Sequence, residues 1–199
     1  VIEYAINQSD VVTAVSQALK EETIRYFNVS NKIDMIPNFI DMSLYKQHGS
    51  TSLRNRYAKN GEYILTHISN FRKVKRISDV IKIFKKVHDE TACVLLMIGD
   101  GPDRLRAEQL SRELGISGKV KFLGKLKVIE NILAISDVFL LPSETESFGL
   151  VALEAMASMN AIISTNSGGL KEVNIDGVTG YLSNVGDTNK MAKDTIKLL

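Results

Sequence analysis

From residue 62 to its end, the chain alternates between short apolar segments and amphipathic segments. The apolar segment at 92–98 contains Val-Leu-Leu-Met-Ile, so a strand there would be apolar on both faces. Such strands are typical of a parallel sheet covered by helices on both sides. The sequence therefore predicts an α/β fold with a doubly wound, Rossmann-like parallel sheet, whose ligands bind beyond the carboxyl ends of its strands. We expect strands at 63–69, 92–98, 119–123, 138–141, 161–164 and 181–182, and helices at 77–88, 103–114, 127–135, 148–158, 170–173 and 187–199.

The first 61 residues follow a weaker pattern, which predicts a strand at 10–16, a helix at 17–27 and a strand at 33–36. The chain has no initiator methionine and stops inside a helical pattern without a cap, so we interpret it as a fragment of a longer protein. We divide it into the end of an amino-terminal domain (1–37), a linker with a leading helix (38–61) and most of a carboxyl-terminal domain (62–199).

Composition excludes several classes of protein. With 44% hydrophobic and 24% charged residues the chain is typical of a soluble globular protein. A net charge of +2, with no basic run that alternates with aromatic residues, argues against nucleic-acid binding. No apolar stretch approaches the roughly 20 residues of a membrane span. The single cysteine, Cys93, lies in an apolar run and suits a buried thiol in a reducing cytoplasm. Homo-oligomerisation stays open.

The segment at 142–154 carries the most functional information. It follows an apolar strand and contains Glu146, Gly149 and Glu154. Eight helical residues advance about two turns, so we expect both carboxylates on roughly one side of a helix. The N–H groups of residues 147–150 would lie at the helix start, where they attract anions. This arrangement suits a phosphate-linked sugar, whereas a lone glutamate such as Glu144 is most often a solvated surface charge.

This segment resembles the signature of retaining glycosyltransferases of family 4. The two glutamates are separated by seven residues, with Ser-Phe-Gly after the first and Glu-Ala-Met-Ala at the second. The resemblance implies the GT-B architecture of two Rossmann-like domains with a cleft between them. It covers nearly the whole chain, continuing at 70–76, 99–102, 122–124 and 167–172. The stretches at 8–16 and 38–41 are most similar to the branch of the family that transfers N-acetylglucosamine from UDP-N-acetylglucosamine to L-malate in bacillithiol biosynthesis.

The resemblance also implies roles for individual residues. Lys75 occupies the position of the diphosphate-binding lysine, with a solvated basic loop as the alternative. Glu146 should bind the hydroxyls of the sugar near the reacting face, and Glu154 should accept hydrogen bonds from the ribose hydroxyls. The remaining contacts to the UDP-sugar would come from the backbone. Phe148, Gly149 and Leu150 would bind the diphosphate, and Lys125 and Leu126 would bind uracil. The tight loop at Gly168 and Gly169 would let the backbone approach the ligand closely, with a plain turn as the alternative.

The chain departs from the family pattern at two places. Asn70 stands where many relatives have an arginine, so either Arg72 supplies the missing charge or Asn70 turns toward the acceptor. Where relatives have Gly-x-Pro after a helix, this chain has Met159-Asn160-Ala161, and we expect Asn160 to end the helix in the left-handed conformation.

The histidines and glycines outside these motifs carry less information. We expect His67 and His88 to be structural, and the sequence says nothing about His48. Gly99 and Gly101 start a dinucleotide-type loop, but position 104 is Arg, which disfavours a dehydrogenase.

No metal site is predicted, because the chain lacks an Asp-x-Asp motif and its three histidines are scattered. We expect no cofactor, the UDP-sugar being a substrate, and expect fixed cations and backbone amides to stabilise the leaving diphosphate. The carboxylates of malate would need cations, to which Arg72 or Arg76 could contribute. Two alternatives stay open: a family 4 enzyme with another acceptor (a lipid, an inositol phosphate or a glycan), or a piece that binds nucleotide-sugar without turnover.

Overall fold

The computed structural model describes residues 1–45, 49–59 and 61–199, which form parallel sheets covered by helices. The strands are β1 (Val12–Ala14), β2 (Ile33–Met35), β3 (Tyr63–Ser69), β4 (Cys93–Gly99), β5 (Val120–Gly124), β6 (Val138–Leu141), β7 (Ala161–Thr165) and β8 (Gly180–Ser183). The helices are α1 (Ile2–Asn7), α2 (Gln17–Tyr26), α3 (Thr51–Tyr57), α4 (Ile77–His88), α5 (Arg104–Glu113), α6 (Glu130–Leu133), α7 (Leu150–Ala157), α8 (Leu170–Val173) and α9 (Thr188–Leu198), with 3₁₀ turns at Met42–Leu44 and Lys73–Lys75.

The main sheet has the strand order β5-β4-β3-β6-β7-β8, and every neighbouring pair is parallel. The chain runs outward from β3 through β4 to β5 and then returns to β6, on the other side of β3. Strand order therefore reverses between β3 and β6. In doubly wound sheets ligands bind at this reversal, beyond the carboxyl ends of the strands.

The strands of the main sheet are buried on both faces. In β4, Val94, Leu96 and Ile98 pack in a cluster that includes residues of α6, while Leu95 and Met97 pack in a cluster with α4. All five side chains are buried. Helices α4, α5 and α9 therefore cover one face, and α3, α6 and α7 cover the other. The prediction of a parallel sheet with helices on both sides is confirmed.

The amino-terminal segment forms a separate small unit. Strands β1 and β2 pair in parallel, with Val12 opposite Ile33, and α2 connects them. Helix α2 begins at Gln17, where the Ser16 side chain accepts a hydrogen bond from the N–H of Leu19. Serine favours this capping position because it satisfies an unpaired helical N–H group.

Several element boundaries differ from the sequence prediction. The helix predicted at 127–135 is only the short α6, because residues 125–128 lie in an exposed loop. The helix predicted to begin at 148 begins at Leu150, since Gly149 has a left-handed backbone with φ of 92°. Helix α1 was not predicted. The strands at 63–69 and 138–141 and the helices at 77–88 and 170–173 have the predicted bounds.

Candidate functional site

Two loops meet where the strand order reverses. One follows β3 and contains residues 70–76, and the other follows β6 and contains residues 142–149. They are joined directly, because the Glu144 N–H donates to the Val74 carbonyl oxygen at 2.7 Å. The side chain of Glu144 itself is exposed, as the sequence indicated. The parallel sheet thus brings together residues that are about seventy positions apart in the chain.

Lys75 and Glu146 form an ion pair across these loops. The Lys75 Nζ lies 2.6 Å from Glu146 Oε1, with only 19% and 13% of the two side chains exposed. Ser143, fully buried, donates its hydroxyl to the same carboxylate oxygen at 2.8 Å. Thr165 in turn donates to the Ser143 carbonyl oxygen at 2.6 Å. The position of the Glu146 carboxylate is therefore fixed from two sides.

The two signature glutamates do not share one side of a helix, as the sequence argument expected. Glu146 lies in the loop before α7, whereas Glu154 lies within the helix. Gly149 occupies the N-cap position, where an added Cβ would come within 2.5 Å of Leu170 Cδ2. Within the described ranges no side chain caps the start of α7. Its first N–H groups are therefore available to an anion.

The glycine loop at 167–169 packs against the loop that carries Glu146. The Gly169 N–H donates to the Glu146 carbonyl oxygen at 2.8 Å. Gly168 has φ of 58°, and an added Cβ would lie 2.3 Å from that same oxygen. The glycines are thus required for a close approach, but the backbone they approach is that of the Glu146 loop.

Glu154 contacts a tyrosine from the connecting segment. The Tyr45 hydroxyl donates to Glu154 Oε1 at 3.1 Å, and Glu130 lies close enough to repel the carboxylate. Burial raises the pKa of Glu154; the Tyr45 hydrogen bond opposes this rise, and the Glu130 charge adds to it. Burial, followed by the Glu154 charge, raises the pKa of Tyr45 to about 12. Glu130 Oε2 is buried and has no hydrogen-bond partner among the described residues.

Sequence reasoning missed Tyr45 and Glu130. Tyr45 was visible only as a tyrosine in the connecting segment, and its contact with Glu154 spans 109 positions. Glu130 entered the sequence analysis only as part of the helix predicted at 127–135. Neither residue lies in a recognisable motif.

The other predicted ligand-binding residues lie in the loops after β3 and β5. Asn70 and Arg72 are exposed in the loop after β3, and Lys125 and Leu126 are exposed after β5. Arg72 forms no ion pair within the described ranges. Arg76 is engaged, since its Nε lies 2.6 Å from Asp79 Oδ2. Arg76 is therefore committed to a carboxylate of its own helix, whereas Arg72 is not.

His67 lies beneath the Lys75 loop and is structural, as predicted. Its Nδ1 lies 2.8 Å from the Leu140 carbonyl oxygen and its Nε2 lies 2.8 Å from Ser69 Oγ. Its ring stacks on Phe71, with the ring centroids 6.2 Å apart. Complete burial lowers the pKa of His67 to about 4, so the ring is neutral at physiological pH.

Three residues discussed from the sequence lie outside the two loops at 70–76 and 142–149. Cys93 is buried as predicted, and burial raises its pKa to about 12. Gly101 packs against the loop after β3, because an added Cβ would lie 2.1 Å from the Asn70 carbonyl oxygen. His48 lies outside the described residues.

Comparison with known proteins identifies the family. The sequence profile of the family described as "Glycosyl transferases group 1" matches residues 50–199, and the profile "Glycosyltransferase Family 4" matches residues 1–44. The chain belongs to the glycosyl transferase group 1 family. The family predicted from residues 142–154 is thereby confirmed.

Curated relatives of this glycosyltransferase chain support the same family. It is 47% identical over all 199 residues to the N-acetyl-α-D-glucosaminyl L-malate synthase of Bacillus anthracis, of which it covers 52%. It is 30% identical over 188 residues, 89% of the chain, to an uncharacterised glycosyltransferase of Methanocaldococcus jannaschii, of which it covers 48%. The chain therefore spans about half the length of these relatives.

Solved structures confirm the GT-B glycosyltransferase fold. Sucrose-phosphate synthase from Thermosynechococcus elongatus superposes with a TM-score of 0.88 at 24% identity, covering 99% of this chain and 51% of that one. Anabaena HepE in complex with UDP-glucose superposes with a TM-score of 0.86 at 25% identity, covering 98% of this chain and 55% of that one.

The part of the chain that the structure describes has neither a metal-binding cluster of side chains nor a membrane-spanning helix. Across 1–45, 49–59 and 61–199, no three or more His, Cys, Asp or Glu side chains are grouped so that they could hold a metal ion. In the same ranges, no helix combines the length and apolar character needed to cross a membrane.

Proposed function

We propose that the full-length protein is a cytoplasmic enzyme that transfers N-acetylglucosamine from UDP-N-acetylglucosamine to L-malate with retention of the α configuration. The observation that carries this proposal is the 47% identity, over the whole chain, to a synthase of N-acetyl-α-D-glucosaminyl L-malate. The site geometry supports the donor half of the reaction. An identity of this size over the whole chain supports the reaction of that synthase as well as its family.

The diphosphate of the donor is assigned to Lys75 and the start of α7. Lys75 supplies a fixed cation, and the uncapped N–H groups after Gly149 supply oriented dipoles. The Lys75 ammonium is paired with the Glu146 carboxylate. An arriving diphosphate competes for that ammonium, which leaves the Glu146 carboxylate, still bonded to Ser143, to accept hydrogen bonds from the sugar hydroxyls.

The ribose of the donor is assigned to Glu154. An ionised carboxylate offers about four lone-pair sites, so it can accept from two neighbouring hydroxyls. The Tyr45 hydroxyl donates to Oε1 of this carboxylate. Oε2 therefore receives the first ribose hydroxyl, and the second either joins Tyr45 on Oε1 or displaces it.

The transfer step needs no covalent enzyme intermediate. The bond between the anomeric carbon and the diphosphate oxygen breaks, and the malate hydroxyl oxygen bonds to the same face of the sugar. The malate hydroxyl proton passes to the departing phosphate oxygen, and UDP leaves. Lys75 stabilises the charge that develops on the diphosphate, which is where electrostatic catalysis contributes most.

A panel of acceptors tests this proposal. The full-length protein is incubated with UDP-N-acetylglucosamine and with L-malate, other hydroxy acids, inositol phosphate or a lipid acceptor, and UDP release is followed by a coupled assay. We expect turnover with malate and an α-anomeric proton in the NMR spectrum of the product. Turnover with another acceptor but not with malate would contradict the proposal that malate is the acceptor. A β-anomeric product would contradict the retaining mechanism.

A further inference from the structure

The start of helix α2 is attached to the loop that carries Glu146. Ser16 caps α2 and is 1% exposed. Its hydroxyl accepts from the Leu19 N–H at 3.0 Å and donates to the Ser147 carbonyl oxygen at 2.5 Å. One buried hydroxyl thus satisfies a helix N–H group and a loop carbonyl that is 131 positions away. Breaking either bond would leave a buried polar group unpaired, which is unfavourable.

A second contact joins the same helix to α8. The Glu172 carboxylate accepts from the Gln17 N–H at 2.9 Å through Oε2 and from the Ala18 N–H at 2.8 Å through Oε1. The first turn of α2 contains no acidic residue of its own. Glu172 therefore supplies both the missing hydrogen-bond acceptors and the negative charge that a helix start favours.

These contacts end beside the residues assigned to the donor sugar. Ser147 directly follows Glu146, whose carbonyl oxygen accepts from the Gly169 N–H at 2.8 Å. An added Cβ on Gly169 would lie 2.4 Å from the Ser147 carbonyl oxygen, so this backbone is closely surrounded. A continuous set of contacts thus runs from α2 through Ser16 and Ser147 to Glu146 and its partner Lys75.

We propose that Ser16 and Glu172 are positioning residues that clamp the amino-terminal helix α2 onto the Glu146 loop and so fix that loop for glycosyl transfer. The clamp joins two parts of the chain that match different profiles, residues 1–44 and 50–199. Neither residue touches the sugar or the diphosphate in this scheme; both act through the backbone at 146–149. The effect on transfer rests on the proposed function, whereas the effect on the loop does not.

Hydrogen exchange tests the clamp without reference to activity. In the full-length protein, Ser16→Ala and Glu172→Gln are compared with Ser9→Ala and Glu113→Gln. Among the described residues, the Ser9 hydroxyl donates to the Ala5 carbonyl oxygen and the Glu113 carboxylate accepts from Gln109, so both control side chains bond only to residues four positions away. We expect amide exchange at 146–150 to accelerate roughly three- to tenfold in the two clamp variants, since each loses a bond of ordinary strength. Exchange in β4 should not change. Equal exchange at 146–150 in the clamp and control variants would overturn the proposal.

Kinetics separate positioning from loss of structure. Affinity for uridine, which lacks the diphosphate, should stay within about twofold in both clamp variants, because the ribose and uracil contacts lie elsewhere, while kcat should fall by a factor similar to the acceleration of exchange at 146–150. Glu172→Gln keeps one acceptor and should lose less rate than Glu172→Ala. A parallel loss of uridine affinity and rate would indicate a disordered site and overturn the positioning role. Faster loop exchange in a protein that transfers to none of the acceptors would support the clamp and contradict the proposed function.

Discussion

At the scale of single residues, the site is arranged around charges that already have partners before a ligand binds. Lys75 is paired with Glu146, and Glu154 is hydrogen-bonded to Tyr45. A buried charge without a partner is strongly unfavourable, so each partner stabilises a charge to which the proposed function gives a role. The sequence identified Lys75, Glu146 and Glu154 through the family motif. It could not identify Tyr45, because nothing in a sequence shows which distant side chain will donate a hydrogen bond to a carboxylate.

Tyr45 and Glu130 should shift the pH dependence of UDP binding in opposite directions. Glu154 accepts hydrogen bonds from both ribose hydroxyls only when ionised, so UDP affinity should fall as pH drops through the pKa of Glu154. Burial already raises that pKa. The Tyr45 hydrogen bond lowers the pKa of Glu154. Tyr45→Phe removes this bond, so the loss of UDP affinity should occur at higher pH. Glu130→Gln removes a repelling charge, and the fall should move to lower pH.

Calorimetric titration of UDP between pH 5 and pH 8 measures these shifts. Tyr57→Phe is the matched control, because Tyr57 packs against the cluster around Ile64 rather than against Glu154. The control should follow the parent protein. Midpoints that coincide in the parent, Tyr45→Phe and Glu130→Gln proteins would show that these neighbours do not set the charge of Glu154.

At the scale of secondary-structure elements, periodicity predicted the existence of most strands and helices, and backbone conformation decided their ends. The end of α7, where Asn160 was expected to stop the helix predicted at 148–158, shows this. Met159, which is 67% exposed, has the left-handed conformation with φ of 66°. Asn160 is buried instead, and its Nδ2 donates to the Leu133 carbonyl oxygen at 2.8 Å. The expectation that Asn160 ends the helix was wrong, because a tertiary hydrogen bond recruits its side chain.

Met159→Gly should stabilise the protein. Glycine adopts positive φ without the steric penalty that methionine carries, and the exposed Met159 side chain loses little packing. We expect a gain of roughly 0.5–1 kcal/mol in the free energy of unfolding, measured by chemical denaturation. The control is Ala157→Gly, two residues earlier in α7, which should lower the free energy of unfolding by a similar amount. A lower stability in Met159→Gly would mean that the side chain is packed.

At the scale of the whole molecule, the order of the strands creates the site. The alternation of apolar and amphipathic segments predicted a doubly wound sheet, and such sheets bind ligands where strand order reverses. The chain returns after β5 and places β6 beside β3, so these two strands flank the reversal. The periodicity of the sequence does not show where the chain returns. The contacts of Ser16 with Ser147 and of Glu172 with α2 were also unpredictable, since they depend on how the amino-terminal segment docks.

The complete enzyme should work without a divalent metal. We expect Lys75 and the N–H groups at the start of α7 to stabilise the negative charge on the leaving diphosphate. These groups belong to the protein, so they would take the place of a metal ion. We expect product formation from UDP-N-acetylglucosamine and malate to persist after exhaustive treatment with EDTA. Activity that disappears and returns on addition of magnesium or manganese would contradict this prediction.

The central claim is that the reversal between β3 and β6 holds the UDP-sugar, and UDP affinity of a Glu154→Ala variant tests it most directly. Titration calorimetry on the full-length protein compares this variant with the parent and with Glu144→Ala, which removes an exposed carboxylate from the neighbouring loop. A hydrogen bond to a charged group contributes about 1.5–3 kcal/mol, so UDP should bind roughly 10- to 100-fold more weakly to Glu154→Ala. Glu144→Ala should bind UDP like the parent. Unchanged UDP affinity in Glu154→Ala would contradict the account.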